Sequence, residues 1–183
     1  MRKNEKMTWD TTTLVFIGLL VGMHIVLTRI VSIDLGFCRI SVSSVCTILA
    51  GLWFGPIGGG VCGLLADLLG CLIKGYAVNP FITVAAVLWG VIPALFGRCG
   101  NGSRGKKIAV LSGSIVLTGI LSSLVFNTTG MVLMMGYNLY AILPGRLIQW
   151  AAMTPIYCVL TCTLYFSPLT NMILNARVQK SRV

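Results

Sequence analysis

The chain has 183 residues, 56% of them hydrophobic and 10% charged, with a formal net charge of +10. A soluble domain carries about 25% charged residues, so too little polar surface is left to coat a soluble globule, whereas the same apolar excess dissolves in lipid. The net charge alone would suggest nucleic-acid binding, but ten of the fourteen basic residues fall into three clusters: Arg2, Lys3 and Lys6; Arg98, Arg104, Lys106 and Lys107; Arg177, Lys180 and Arg182. Membrane proteins place such clusters on the cytoplasmic side, and the apolar remainder excludes a nucleic-acid surface.

The first predicted helix covers about 12–32. Its apolar run, Thr11 to Thr28, outlasts the roughly 7–15 residues of a signal-peptide core, and Arg29 follows it instead of a small-residue cleavage site, so an uncleaved first span is expected. Predicted helices at about 41–54 and 58–73 are separated by Gly55-Pro56 and Gly58-Gly59-Gly60. Proline removes a backbone donor and glycine relaxes the backbone, which suits a tight inner turn. A fourth predicted helix at about 80–97 leads into the basic inner loop 98–107. Because the amino end and this loop are both basic, the segment between them should cross the membrane an even number of times, hence four.

The run from Ile108 to Gly145 carries no charge. It divides into a predicted helix at about 107–126 and an outer loop at 127–143, whose polar, glycine-punctuated stretches are Asn127-Thr128-Thr129-Gly130 and Gly136-Tyr137-Asn138. Pro144 is expected to open the last helix, about 144–166, where its missing N–H costs nothing. The expected fold is therefore all-α: one membrane domain over 1–183, with six transmembrane helices and both termini cytoplasmic.

Some ionisable residues break the inside rule. Arg29, Arg39, Lys74 and Arg146 fall at or near outer helix ends, with Asp34 and Asp67 in the same half. Such groups at membrane depth cost several kcal/mol unless paired or solvated, so they are functional candidates, against the plainer reading of snorkelling or structural pairing. Asp67 and Lys74, seven apart, share a helix face and could pair through a neighbour. Converging basic groups would attract an anion. Phe37, Tyr137 and Trp150 are candidate stacking walls, and Asn79 and Gln149 candidate polar contacts. Trp9 and Trp53, near the inner face, read as interfacial anchors, and Trp89 as core or lipid contact. Gly18 and Gly22, four apart on the first helix, would let another helix approach closely.

Enzyme chemistry finds no support. No paired carboxylates stand at catalytic spacing, and there is no HExxH, CxxC or Walker sequence. His24, the single histidine, has no acid nearby in sequence. The seven cysteines lie mostly in apolar runs and read as packing residues. No cofactor and no metal is expected.

The residues Arg39-Ile40-Ser41, Gly55-Pro56, Gly59, Gly63, Asp67 and Gly70 resemble the substrate-binding S components of energy-coupling-factor (ECF) vitamin transporters, over about residues 12–168. Gly18 and Gly22 stand where that family has an Ala-x-x-x-Ala motif. Leu27-Thr28-Arg29 with Ile33, Phe37 to Ser41, and Pro144 to Gln149 look most like the folate-specific members. After the third helix the order here is Asn79-Pro80-Phe81, where relatives often have Pro-Gly-Phe. The resemblance implies an outward vitamin site in a cell-membrane protein, no ATPase activity of its own, a membrane scaffold subunit and two cytoplasmic ATPases as partners, and toppling in the membrane to release cargo. Under this reading Gly18 and Gly22 form the partner interface. Another vitamin, or a self-sufficient channel or secondary transporter for a small anion, is the alternative.

Overall fold

The computed structural model describes residues 11–30, 32–34, 39–75, 77–99, 104–168, 170, 172 and 173. Among them the regular structure is helical apart from one two-residue antiparallel pair, β1 (Ile33–Asp34) and β2 (Arg39–Ile40). Helix α1 spans Thr11–Arg29, α2 Ser44–Phe54, α3 Pro56–Lys74 and α4 Pro80–Cys99. Helix α5 (Arg104–Gly119) runs without a break through a π-helical segment (Ile120–Asn127) into α6 (Thr128–Met135), and α7 covers Leu139–Tyr165. Among the described residues five helical runs are long and apolar enough to cross a membrane, α5 to α6 counting as one 32-residue run. The sixth apolar helix, α2, has 11 residues. At 1.5 Å per residue it spans only about 16 Å, well short of a bilayer's hydrocarbon core. It is tolerated because protein surrounds it: Val45 to Gly51, Trp53 and Phe54 are all buried.

The α2–α3 connection is as tight as the Gly-Pro pair predicts. Gly55 takes φ 92°, a conformation L side chains rarely adopt, and Pro56 occupies the first turn of α3. The predicted helices at 41–54, 58–73 and 80–97 lie close to α2, α3 and α4.

The predicted outer loop at 127–143 is corrected. Residues 128–135 are helical, and only Gly136, Tyr137 and Asn138 separate α6 from α7. Of the polar residues that suggested a loop, Thr128 is satisfied inside the helix: its hydroxyl donates to the Ser123 carbonyl at 3.1 Å. The stop comes at Gly136, with φ 71°. Helix α7 opens at Leu139, where the Asn138 side chain accepts from the Tyr140 N–H at 3.0 Å. Pro144 therefore lies within α7, not at its start.

Trp53 is a second correction. It is buried, and its indole N–H donates to the Thr170 hydroxyl at 3.1 Å, so it is a packed core residue instead of an interfacial anchor. Trp89 is core, edge-on to Tyr157 with ring centroids 5.1 Å apart. Trp9 lies outside the described residues.

The centre of the bundle is a glycine seam joining α2, α3 and α4. A Cβ on Gly59 would sit 2.6 Å from the Gly51 Cα and 2.8 Å from the Gly90 carbonyl carbon, so these helices touch backbone to backbone. Small residues allow such approach in lipid, where side-chain burial brings no hydrophobic gain.

Candidate functional site

The last turns of α1 carry His24, Thr28 and Arg29 against Ala66, Asp67 and Gly70 of α3 and Ala86 of α4. With Ile25 these residues line a cavity of about 80 Å³. The Arg29 guanidinium crosses to α3 and donates to the Gly70 carbonyl. A Cβ at position 70 would lie 2.8 Å from that guanidinium nitrogen, so glycine keeps the path open. The guanidinium's Nε and Nη1 are buried with no hydrogen-bond partner. Asp67 faces the same cavity, and its Oδ2 accepts from the Thr83 hydroxyl at 2.7 Å. A cation and a carboxylate on one small cavity reduce each other's burial cost, and the unspent donors are poised for a polar guest. His24 Nδ1 stands 3.0 Å from the Thr47 hydroxyl, which ties α1 to α2 beside the cavity.

From Thr83 a line of polar contacts leads to the α6–α7 hairpin. The Thr83 hydroxyl also lies 3.1 Å from the Asn79 carbonyl. Asn79 caps α4 by accepting from the Phe81 N–H at 3.0 Å, with Pro80 next in the first turn. Its amide nitrogen donates to the Gly130 carbonyl at 3.0 Å. At the next residue, the Met131 sulfur receives an Arg146 N–H, and Arg146 Nη1 donates to Gln149 Oε1 at 3.3 Å.

The structure thus brings Arg29 and Asp67 together on one cavity, and links Asn79, Arg146 and Gln149 in a second group reached through Thr83. Asn79 is buried, and both arms of its amide are used within the chain, which makes it a pin between α4 and α6. Trp150 packs against Gly119, where a Cβ would meet its Nε1 at 2.7 Å. Lys74 is exposed in the last turn of α3, off the cavity, and Tyr137 is exposed in the α6–α7 turn. Arg39 is placed by its backbone alone, in register with Asp34. Phe37 lies outside the described residues. Gly18 and Gly22 are exposed, with nothing within 4 Å of a Cβ built on either.

Sequence reasoning missed His24, Thr28 and Thr83 as cavity-side residues. A signal existed for each. His24 and Thr28 stand four apart, on one helix face and beside Arg29, and Thr83 is one turn from Asn79 in an otherwise apolar span.

Apolar helices of spanning length that enclose a small polar cavity define a polytopic membrane protein with a candidate site among its helices. The chain belongs to the ECF transporter substrate-specific component family, whose model matches residues 12–178. The folate transporter FolT of Clostridium novyi (strain NT) is 28% identical to it over 148 residues, 80% of this chain and 83% of the relative. A crystal structure of FolT bound with folic acid superposes with a TM-score of 0.73 at 25% identity, covering 89% of this chain and 95% of that one. The structure of the S component of a bacterial ECF transporter superposes with a TM-score of 0.59 at 22% identity, covering 81% and 92%.

Proposed function

We propose that this chain is the folate-capturing subunit of an ECF-type importer in the cell membrane, taking folate at an outward-facing site. The observation that carries this reading is its likeness to FolT bound with folic acid over 89% of the chain. The chemistry of the cavity supports it. A pteridine edge offers N–H donors that a carboxylate such as Asp67 accepts in a paired geometry, and acceptors for the free Arg29 N–H groups. At about 80 Å³ the cavity is far below the roughly 300–1,000 Å³ of a site for a drug-sized ligand, so it suits one fragment of folate. The glutamyl carboxylates then belong with the outer cations Arg39, Lys74 and Arg146, and Phe37, Tyr137 and Trp150 supply aromatic surface. Gln149 adds a polar group beside Arg146.

Titrating the purified protein with folate tests this. Arg29→Gln and Arg146→Gln should each weaken binding about 10- to 150-fold, the worth of a charge-assisted hydrogen bond. Parent-like affinity in both would remove the cation site, and a parent that ignores folate would remove the ligand assignment.

Delivery rests on a membrane scaffold and two cytoplasmic ATPases, with Gly18 and Gly22 as the docking face. Their open, outward position suits helix approach from a partner. Gly18→Trp should keep folate binding and abolish ATP-driven uptake in the assembled transporter; unchanged uptake would sink this interface. Both termini face the cytoplasm in this reading. An impermeant thiol reagent applied outside should then label a cysteine placed at Asn138 and miss one at Gly105, and the reverse pattern would invert the topology.

A further inference from the structure

The polar residues of α4 reach two neighbouring helices. Thr83 faces Asp67 on α3, and Asn79, one turn earlier, reaches Gly130 on α6, so the start of α4 lies between the two. One turn before Gly130 and Met131 is Asn127, the last residue of the π-helical segment. Positions 127, 130 and 131 share a helix face, which is the face that meets Asn79 and Arg146. The Asn127 Oδ1 is buried with no hydrogen-bond partner. A buried amide oxygen without a donor is costly, and in a native structure it calls for a reason. The π-helix is the other unusual feature of this stretch, and such segments are rare and frequently found at functional sites.

We propose that Asn127 is a ligand-contacting, specificity-determining residue whose side-chain oxygen accepts an N–H or O–H of the bound molecule, on the wall across α4 from Asp67. This rests on the folate reading above. The site would then present acceptors from two helices, Asp67 on α3 and Asn127 at the end of the π segment, with the Arg29 donors beside the first. A ligand edge rich in N–H groups fits this set, and an analogue whose N–H groups are replaced by acceptors does not.

The test uses the full-length protein and folic acid as the probe. Asn127→Leu removes both polar atoms while keeping the same branched heavy-atom skeleton. It should weaken folate binding about 10-fold or more while the ligand-free melting temperature stays equal or rises, because an unsatisfied buried oxygen has been removed. Asn127→Asp keeps the acceptor and should bind more tightly than the Leu variant. A purely structural Asn127 predicts unchanged affinity in Asn127→Leu, and that result overturns the assignment. Leu and Asp variants of equal, reduced affinity would also overturn it, since the acceptor would then not matter. If the parent itself fails to bind folic acid, the folate reading falls and this inference falls with it; a binding parent with an indifferent Asn127→Leu removes this inference alone.

Discussion

Where α2, α3 and α4 meet, backbone lies against backbone; where α6 turns into α7, side chains stand in the open. At the first place Gly51, Gly59 and Gly90 leave no room for a Cβ. At the second, Leu133, Met134 and Met135 are each more than half exposed and Tyr140 is 85% exposed. The contrast sorts the site into two kinds of wall. Asp67 and Gly70 stand on α3, the helix that the seam holds at Gly59 and Gly63, so their positions follow from a closely packed helix. Asn127, Arg146 and Gln149 stand on the run through α6 and α7, which the Asn79 amide joins to α4. For the proposed site, the tightly packed helices would hold geometry and the more open hairpin would admit the ligand.

The comparison can be broken at either wall. The largest effect is expected at the seam. Gly59→Val inserts atoms where the Gly51 and Gly90 backbones already lie, and neither is a side chain that can swing aside. It should destabilise by about 3 kcal/mol or more, visible as loss of the monodisperse protein in detergent or a steep fall in melting temperature. A parent-like melt would show that the helices can part there at little cost. A smaller effect is expected at the hairpin. Asn79→Ala removes the α4 cap and leaves the Gly130 carbonyl without its side-chain donor, at about 2 kcal/mol in all. The protein should stay folded, with increased amide exchange concentrated in 128–138. Protection unchanged there would mean that Asn79 does not hold the hairpin.

Much of the architecture was legible from the chain alone. Long apolar runs have few fates, and Gly55-Pro56 marks a turn whatever surrounds it. The hairpin was not legible, because Asn127, Thr128 and Gly130 carry loop chemistry when read locally. Only a folded helix shows that Thr128 can spend its hydroxyl on the Ser123 carbonyl and that Gly130 is small because Phe81 and Asn79 press on it. Trp53 misled for a related reason. A tryptophan near a membrane face is an anchor by default, and its Thr170 partner is 117 residues away in the chain.

The candidate site divides the same way. That Arg29 and Asp67 were unusual follows from charge at membrane depth, a cost that depends on the residue and the span and so can be read in one dimension. That they share a cavity, that Gly70 is small to let Arg29 pass, and that Asn79 is spent on holding two helices follow from which helices touch. Sequence alone determined the membrane-spanning class and singled out the charged residues at membrane depth as candidates, since hydrophobicity and charge act residue by residue against the bilayer. The tertiary structure decided which of those residues meet, because helix contacts in lipid are set by small-residue packing and hydrogen bonds between positions far apart in the chain.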